Sequence, residues 1–248
     1  MKYKIFLLFL LCLVIFKAVS SSQENETLNV INNSIVRINF FWTVTKNRTT
    51  IPIEESNSLG VLVSEEGHVL TCYHSLSLSK DTAARYGRSS SKVADSINIV
   101  LLCNGEKNSY PAKVVAVDEW RDLAIIKPYE KKKFAPLTKI KAGGFLNSGD
   151  IFYASVNPES PWNNISSGRL LYKVLNDNGR EVMGFIMNIK PGSSGSGMFD
   201  SNGDMVGLIY ATGSLTKDSK GTLSLVIPGS SIALFLERND IVFLRSSP

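Results

Sequence analysis

Hydrophobic and polar positions alternate in short runs over most of the chain. In IVRINFFWTV (35–44), Val36, Ile38 and Phe40 share one face, opposite Ile35, Arg37 and Asn39, the period-two pattern of a barrel or half-buried strand. Similar runs follow at SLGVLVS (58–64), HVLTC (68–72), INIVLLC (97–103), YPAKVVAVD (110–118) and LAIIK (123–127), parted by turn residues at 64–67 and 103–108. The 131–149 stretch is basic and carries Pro136 and Gly143-Gly144, so it predicts a crossing between two halves. A second set comes next: IFYASV (151–156), SGRLLYKVL (167–175), EVMGFIMNI (181–189), MVGLIYA (205–211) and LSLVIP (223–228). GSSIALFLERND (229–240) is the best helix, with a serine to cap it, Pro228 just upstream, and Ile232, Leu234, Phe235 and Leu236 as its apolar cover. The pattern predicts two all-β units, sandwich or barrel, and a C-terminal helix.

The N-terminus departs from this pattern. Lys2 and Lys4 precede an unbroken apolar run, Ile5 to Phe16, and Ala18-Val19-Ser20 supplies small residues at cleavage spacing. This is the build of a secretory signal peptide over residues 1–20. As a helix the run would rise about 18 Å, short of the roughly 30 Å of a bilayer's hydrocarbon, so no stable membrane span is expected after cleavage near Ser20. The polar SSQENE that follows is expected to be loose and opens an N-terminal extension over 21–34, ahead of an N-terminal β unit (35–136) and a C-terminal β unit with the helix (137–248).

Composition is that of a globular chain: 248 residues, 44% hydrophobic and 20% charged. The formal charge of +5 owes three of its lysines to the leader, and Lys131-Lys132-Lys133 is the only basic run, so nucleic acid is not an expected partner. Export would leave Cys72 and Cys103, either as one disulfide or as two buried thiols. Asn-x-Ser/Thr sequons stand at Asn25, Asn32, Asn47 and Asn164.

Candidate chemistry centres on KPGSSGSGMFD, where three serines and three glycines fill Gly192 to Gly197 between two apolar runs. A linker would have no strand on either side. A tight glycine turn, in contrast, can converge backbone N–H groups on a developing oxyanion and present a serine hydroxyl. That hydroxyl needs a base. His68 sits at a hairpin entry and suits a surface role, whereas His74 follows the end of an apolar strand. Asp122 opens the apolar strand LAII, where a shielded carboxylate can orient an imidazole, with Asp118 as the runner-up. Two histidines without HExxH or a carboxylate pair make a weak metal site. The order His74, Asp122, Ser194 excludes the lipase elbow, which needs a histidine after the serine, and agrees with the chymotrypsin order.

These segments resemble the trypsin/chymotrypsin superfamily, in particular its HtrA (DegP-like) branch. GVLVSEEGHVLTCYH is similar to the segment ending in the catalytic histidine, here His74. YPAKVVAVDEWRDLAIIK is similar to the segment carrying the catalytic aspartate, here Asp122. KPGSSGSGMFDSNGDMVGLIYA resembles the nucleophile loop and its following strand, and LSLVIPGSSIALFLE the closing strand and helix. The resemblance implies two six-stranded antiparallel barrels, an all-β chymotrypsin-like fold with a C-terminal helix. It implies Ser194 as nucleophile, Ser193 being the alternative, and oxyanion donors from Gly192 and Ser194. Asn188, Tyr210, Ala211 and Thr212 would border the pocket for the residue before the cut, which would take small to medium uncharged side chains. No cofactor or metal is implied, and the partners are protein or peptide substrates. Ser193, Ser196 and Gly197 depart from the family's Asn or Asp, Gly and Pro, and the sequence read to Pro248 carries no PDZ domain. The rival function is a protease-like fold that binds peptides without cutting them, and an exported esterase comes third.

Overall fold

The computed structural model describes residues 23–46, 48–87, 93–103, 105–135, 138–144, 146–214 and 222–246. The signal-peptide expectation at 1–20 lies outside them, as does the sequon residue Asn47. Among the described residues, twelve strands form two closed antiparallel barrels. The first contains β1 (Ile35–Lys46), β2 (Thr49–Leu62), β3 (Val69–Cys72), β4 (Ser96–Cys103), β5 (Glu106–Asp118) and β6 (Leu123–Pro128), in the order β1-β2-β3-β6-β5-β4. The second contains β7 (Ile151–Ser155), β8 (Ile165–Asp177), β9 (Arg180–Ile186), β10 (Gly197–Phe199), β11 (Met205–Ser214) and β12 (Thr222–Pro228), in the order β10-β11-β12-β9-β8-β7. Closure gives every strand two neighbours, although β7 meets β10 only at Tyr153 and Phe199, and this is how antiparallel sheets limit edge-to-edge association.

The expected alternation places the cores. Val36, Ile38, Phe40 and Trp42 fill the first barrel with Ile97, Ile99, Ala124 and Ile126. Phe152, Leu170, Phe185, Ile209 and Val226 fill the second. A third cluster joins the two: Ile35, Val61, Leu70 and Leu123 from the first barrel meet Phe199, Leu208, Tyr210 and Ile227 from the second. The C-terminal helix packs on this joint through Ile232, Phe235 and Leu236.

Residues 23–34 are helical (α1), including the QENE of the stretch expected to be loose, and the later part of the helix is packed. Thr27 donates its hydroxyl to the Ser201 carbonyl at 2.6 Å, and Ile31 is fully buried in the joint between the barrels. Two further helices are α2 (Lys80–Arg85), capped by the Ser79 hydroxyl, and α3 (Gly229–Arg238). A serine was expected to cap α3. Instead Pro228 occupies the N-cap with no side-chain bond, and both serines fall inside the first turn. Among the described residues no helix is long and apolar enough to cross a membrane.

Candidate active site

Asp122 owes its place to a tight turn. At the end of β5 the Asp118 carboxylate accepts the Arg121 N–H (2.9 Å) and guanidinium (2.7 Å), while Asp122 donates its N–H to the Glu119 carbonyl at 3.3 Å. Burial alone would raise the Asp118 carboxyl, but the Arg121 bonds outweigh it and hold Asp118 below its usual range. Asp118 thus shapes the turn. Asp122 leaves it in the left-handed region (φ 59°), which a short polar side chain tolerates. Its carboxylate then faces the residues that follow β3, which pairs with β6 through Cys72 and Leu123.

His74 sits in a short 3₁₀ turn, Tyr73–Leu76, directly after β3. Three contacts lock this turn to Asp122. The Tyr73 N–H donates to the Asp122 carbonyl (3.1 Å), the His74 N–H to Oδ1 (2.8 Å), and His74 Nδ1 lies 2.7 Å from Oδ2. An ionised carboxylate only accepts, so a neutral imidazole placed here carries its proton on Nδ1 and offers Nε2 as the acceptor. The Asp122 side chain is 11% exposed and that of His74 is 48% exposed, a shielded carboxylate behind an accessible imidazole.

The glycine–serine loop comes from the second barrel and is held by the first. The Ser194 carbonyl accepts the Leu59 N–H at 3.1 Å and the Ser58 hydroxyl at 2.7 Å, and the Ser58 oxygen lies 2.9 Å from the hydroxyl of Ser75, next to His74. One buried serine therefore joins the loop to the histidine's turn. Gly195 (φ 85°) donates its N–H to the Ile209 carbonyl at 2.8 Å, and a Cβ there would lie 1.9 Å from the Leu59 oxygen. No side chain fits that approach. The Ser194 hydroxyl is partly exposed and donates to the Tyr210 carbonyl at 3.4 Å. The Ser193 hydroxyl is buried without a partner among the described residues. Nor do the N–H groups of Gly192 and Ser194 meet an acceptor among those residues.

Of the expected pocket residues, Asn188 and Thr212 are exposed and Ala211 is partly buried. Tyr210 is buried, and its hydroxyl donates to Asp177 at 2.5 Å. Burial, and then that bond, push its phenol well above the usual range. His68, expected at the surface, is half-buried with Nδ1 2.7 Å from the Ser64 hydroxyl.

Cys72 is a free, buried thiol, so it forms no disulfide with Cys103, whose side chain lies outside the described residues. It donates to the Ile209 carbonyl at 3.3 Å, the acceptor that Gly195 also uses, and so ties β3 to β11. Donor atoms of Cys72, His74 and Asp122 lie within 4.8 Å of one another. Burial, followed by the Asp122 charge, pushes the thiol well above its ordinary range, away from the thiolate a metal needs. Sequence reasoning missed Ser58, Ser75 and Cys72 because nothing local marks a hydroxyl or thiol that bridges distant segments.

The family described as "Trypsin-like peptidase domain" matches residues 59–208. The chain is 26% identical over 220 residues to Serine protease HTRA3 of Homo sapiens, covering 85% of this chain and 44% of that protein. It is 26% identical over 162 residues to Protease Do-like 8, chloroplastic, of Arabidopsis thaliana, covering 63% and 35%. The chain thus spans less than half the length of either relative. Among solved structures it resembles the HtrA-type protease AlgW, in a structure with a decapeptide, at a TM-score of 0.63 and 20% identity, over 86% of this chain and 64% of that one. At that identity the likeness concerns the fold.

Proposed function

Because the chain belongs to the family of trypsin-like peptidase domains, we propose that it is a serine endopeptidase in which Ser194 is the nucleophile, His74 the base and Asp122 the residue that orients the base. The observation that carries this reading is the His74–Asp122 pair, 2.7 Å at Nδ1 with the backbone N–H bonded to the same carboxylate. In the first step the Ser194 oxygen attacks a peptide carbonyl while His74 Nε2 takes the hydroxyl proton. The N–H groups of Gly192 and Ser194 receive the negative charge that develops on the carbonyl oxygen. Collapse breaks the C–N bond, the amine leaves with the proton from His74, and an acyl-enzyme remains. Water, deprotonated by the same imidazole, then releases the acid.

The Ser194 hydroxyl spends only a 3.4 Å contact on Tyr210, at the outer limit of a hydrogen bond. Exchanging it for a bond to His74 costs little, and such bonds commonly tighten only in the substrate complex. For specificity, Asn188, Ala211 and Thr212 would border the residue before the cut, with Tyr210 behind them. Small to medium uncharged side chains suit a border that shows no free acid among the described residues. The leader at 1–20 supports export, with proteins or peptides as substrates outside the cytosol.

Ser194→Ala is expected to lower casein hydrolysis about 10⁶-fold, since such residues act as a unit. A purified Ser194→Ala protein cutting casein at the parental rate would remove Ser194 from the mechanism.

A further inference from the structure

Three side chains outside the proposed triad meet beside it. The β8–β9 hairpin turns through Asn178 and Gly179, both left-handed (φ 52° and 87°), the two-residue turn whose twist suits its strands. It sets Asp177 opposite Arg180, whose guanidinium donates to Oδ2 at 2.9 Å. That same oxygen accepts the Tyr210 hydroxyl at 2.5 Å, and the Arg180 guanidinium lies 4.9 Å from the centre of the Tyr210 ring. One phenol is thus held at its edge by a carboxylate and on its face by a cation.

Tyr210 sits where the sheet alone does not fix it. The β11–β12 register shifts between Ile209 and Ala211, leaving Tyr210 as the extra residue of a bulge. Bulges free a residue from the ladder and re-aim its side chain. Two carbonyls at this bulge serve the nucleophile loop. That of Tyr210 accepts the Ser194 hydroxyl at 3.4 Å, and that of Ile209 accepts the Gly195 N–H at 2.8 Å. Any swing of the bulge would shift both acceptors.

We infer that Asp177, Arg180 and Tyr210 form a positioning clamp, by which the β8–β9 turn fixes the β11 bulge and, through its two carbonyls, the hydroxyl of Ser194 and the backbone at Gly195. The functional consequence rests on Ser194 being the nucleophile, so the test has two separate readouts. The first is acylation by p-nitrophenyl acetate, which fills no side-chain subsite. Tyr210→Phe keeps the ring beside Arg180 and loses only the Asp177 bond, while Asp177→Ala loses that bond and the ion pair. Each is expected to slow acylation about five- to tenfold. The double variant should be no slower than the slower single one, because both cut one constraint. Asp177→Asn retains an acceptor for the phenol and should recover most of the loss, which a general failure to fold would not permit. The second readout needs no activity. In Asp177→Ala, amide hydrogen exchange at Gly195 should quicken about tenfold relative to the parent. Parental acylation in both single variants, or parental exchange at Gly195, overturns the clamp. Faster exchange in a protein whose parent is inert upholds the clamp and overturns the nucleophile assignment instead.

Discussion

Gly195 shows how one residue fixes the meeting of two barrels. Its positive φ and the 1.9 Å approach of a virtual Cβ to the Leu59 carbonyl leave room for hydrogen alone. Gly195→Ala is therefore expected to cost more than about 1 kcal/mol of stability from backbone strain, with further loss from the clash, and to displace Ser194. Urea unfolding and casein hydrolysis measured on the same preparation check both effects, and a variant matching the parent in both would contradict the packing described. At this scale much was legible. Asp122 stood out because it opens an apolar strand, and its carboxylate does meet the His74 imidazole at 2.7 Å. Ser58 was illegible, because a serine within a strand announces nothing of its bond to a carbonyl 136 residues away. Cys72 likewise gains meaning only from the Ile209 carbonyl of the other barrel.

Among elements, strands with apolar faces were read nearly to their ends, and those without were missed or shortened. β2 was expected from residue 58 but begins at Thr49, since its outer half is exposed and its pairing with β1, not its composition, makes it a strand. The three-residue β10 was hidden in the glycine-rich loop. The start of α1 looked loose because Gln23 to Glu26 are polar and exposed, and of its residues only Thr27, Ile31 and Ser34 are buried, a single apolar side chain among them and so too little to show a period. The β2–β3 turn yields a prediction of its own. Burial, and after it the Lys127 charge, hold the His68 imidazole below its usual range, while Glu66 acts weakly against this. The unfolded chain then binds more protons than the folded one between the two values. Stability is fully present above about pH 6.5 and is lost as pH falls through the folded value. The thermal midpoint should drop on acidification from about pH 7.5 to about pH 5, and less steeply in His68→Gln. Equal slopes in parent and variant would contradict the assignment.

For the whole molecule, the joint between the barrels is the structural fact on which the site depends. His74 and Asp122 come from the first barrel and Ser194 from the second, and the cluster containing Ile35, Val61, Leu208 and Ile227 holds the two barrels together. α1 belongs to that joint through Ile31, so Ile31→Ala is expected to cost about 2–5 kcal/mol, read as a lower urea midpoint. A midpoint unchanged from the parent would place α1 outside the cooperative fold. The two-barrel architecture was legible from the strand pattern and the resemblance together, whereas the way α1 braces it depends on contacts between distant segments. The central claim, that Ser194 is activated by the His74–Asp122 pair, is tested most directly by treating the protein with a fluorophosphonate and mapping the adduct by mass spectrometry. The predicted result is a single adduct on Ser194, absent in His74→Ala. An unmodified Ser194, or an adduct on Ser193 or Ser196 in its place, would contradict it.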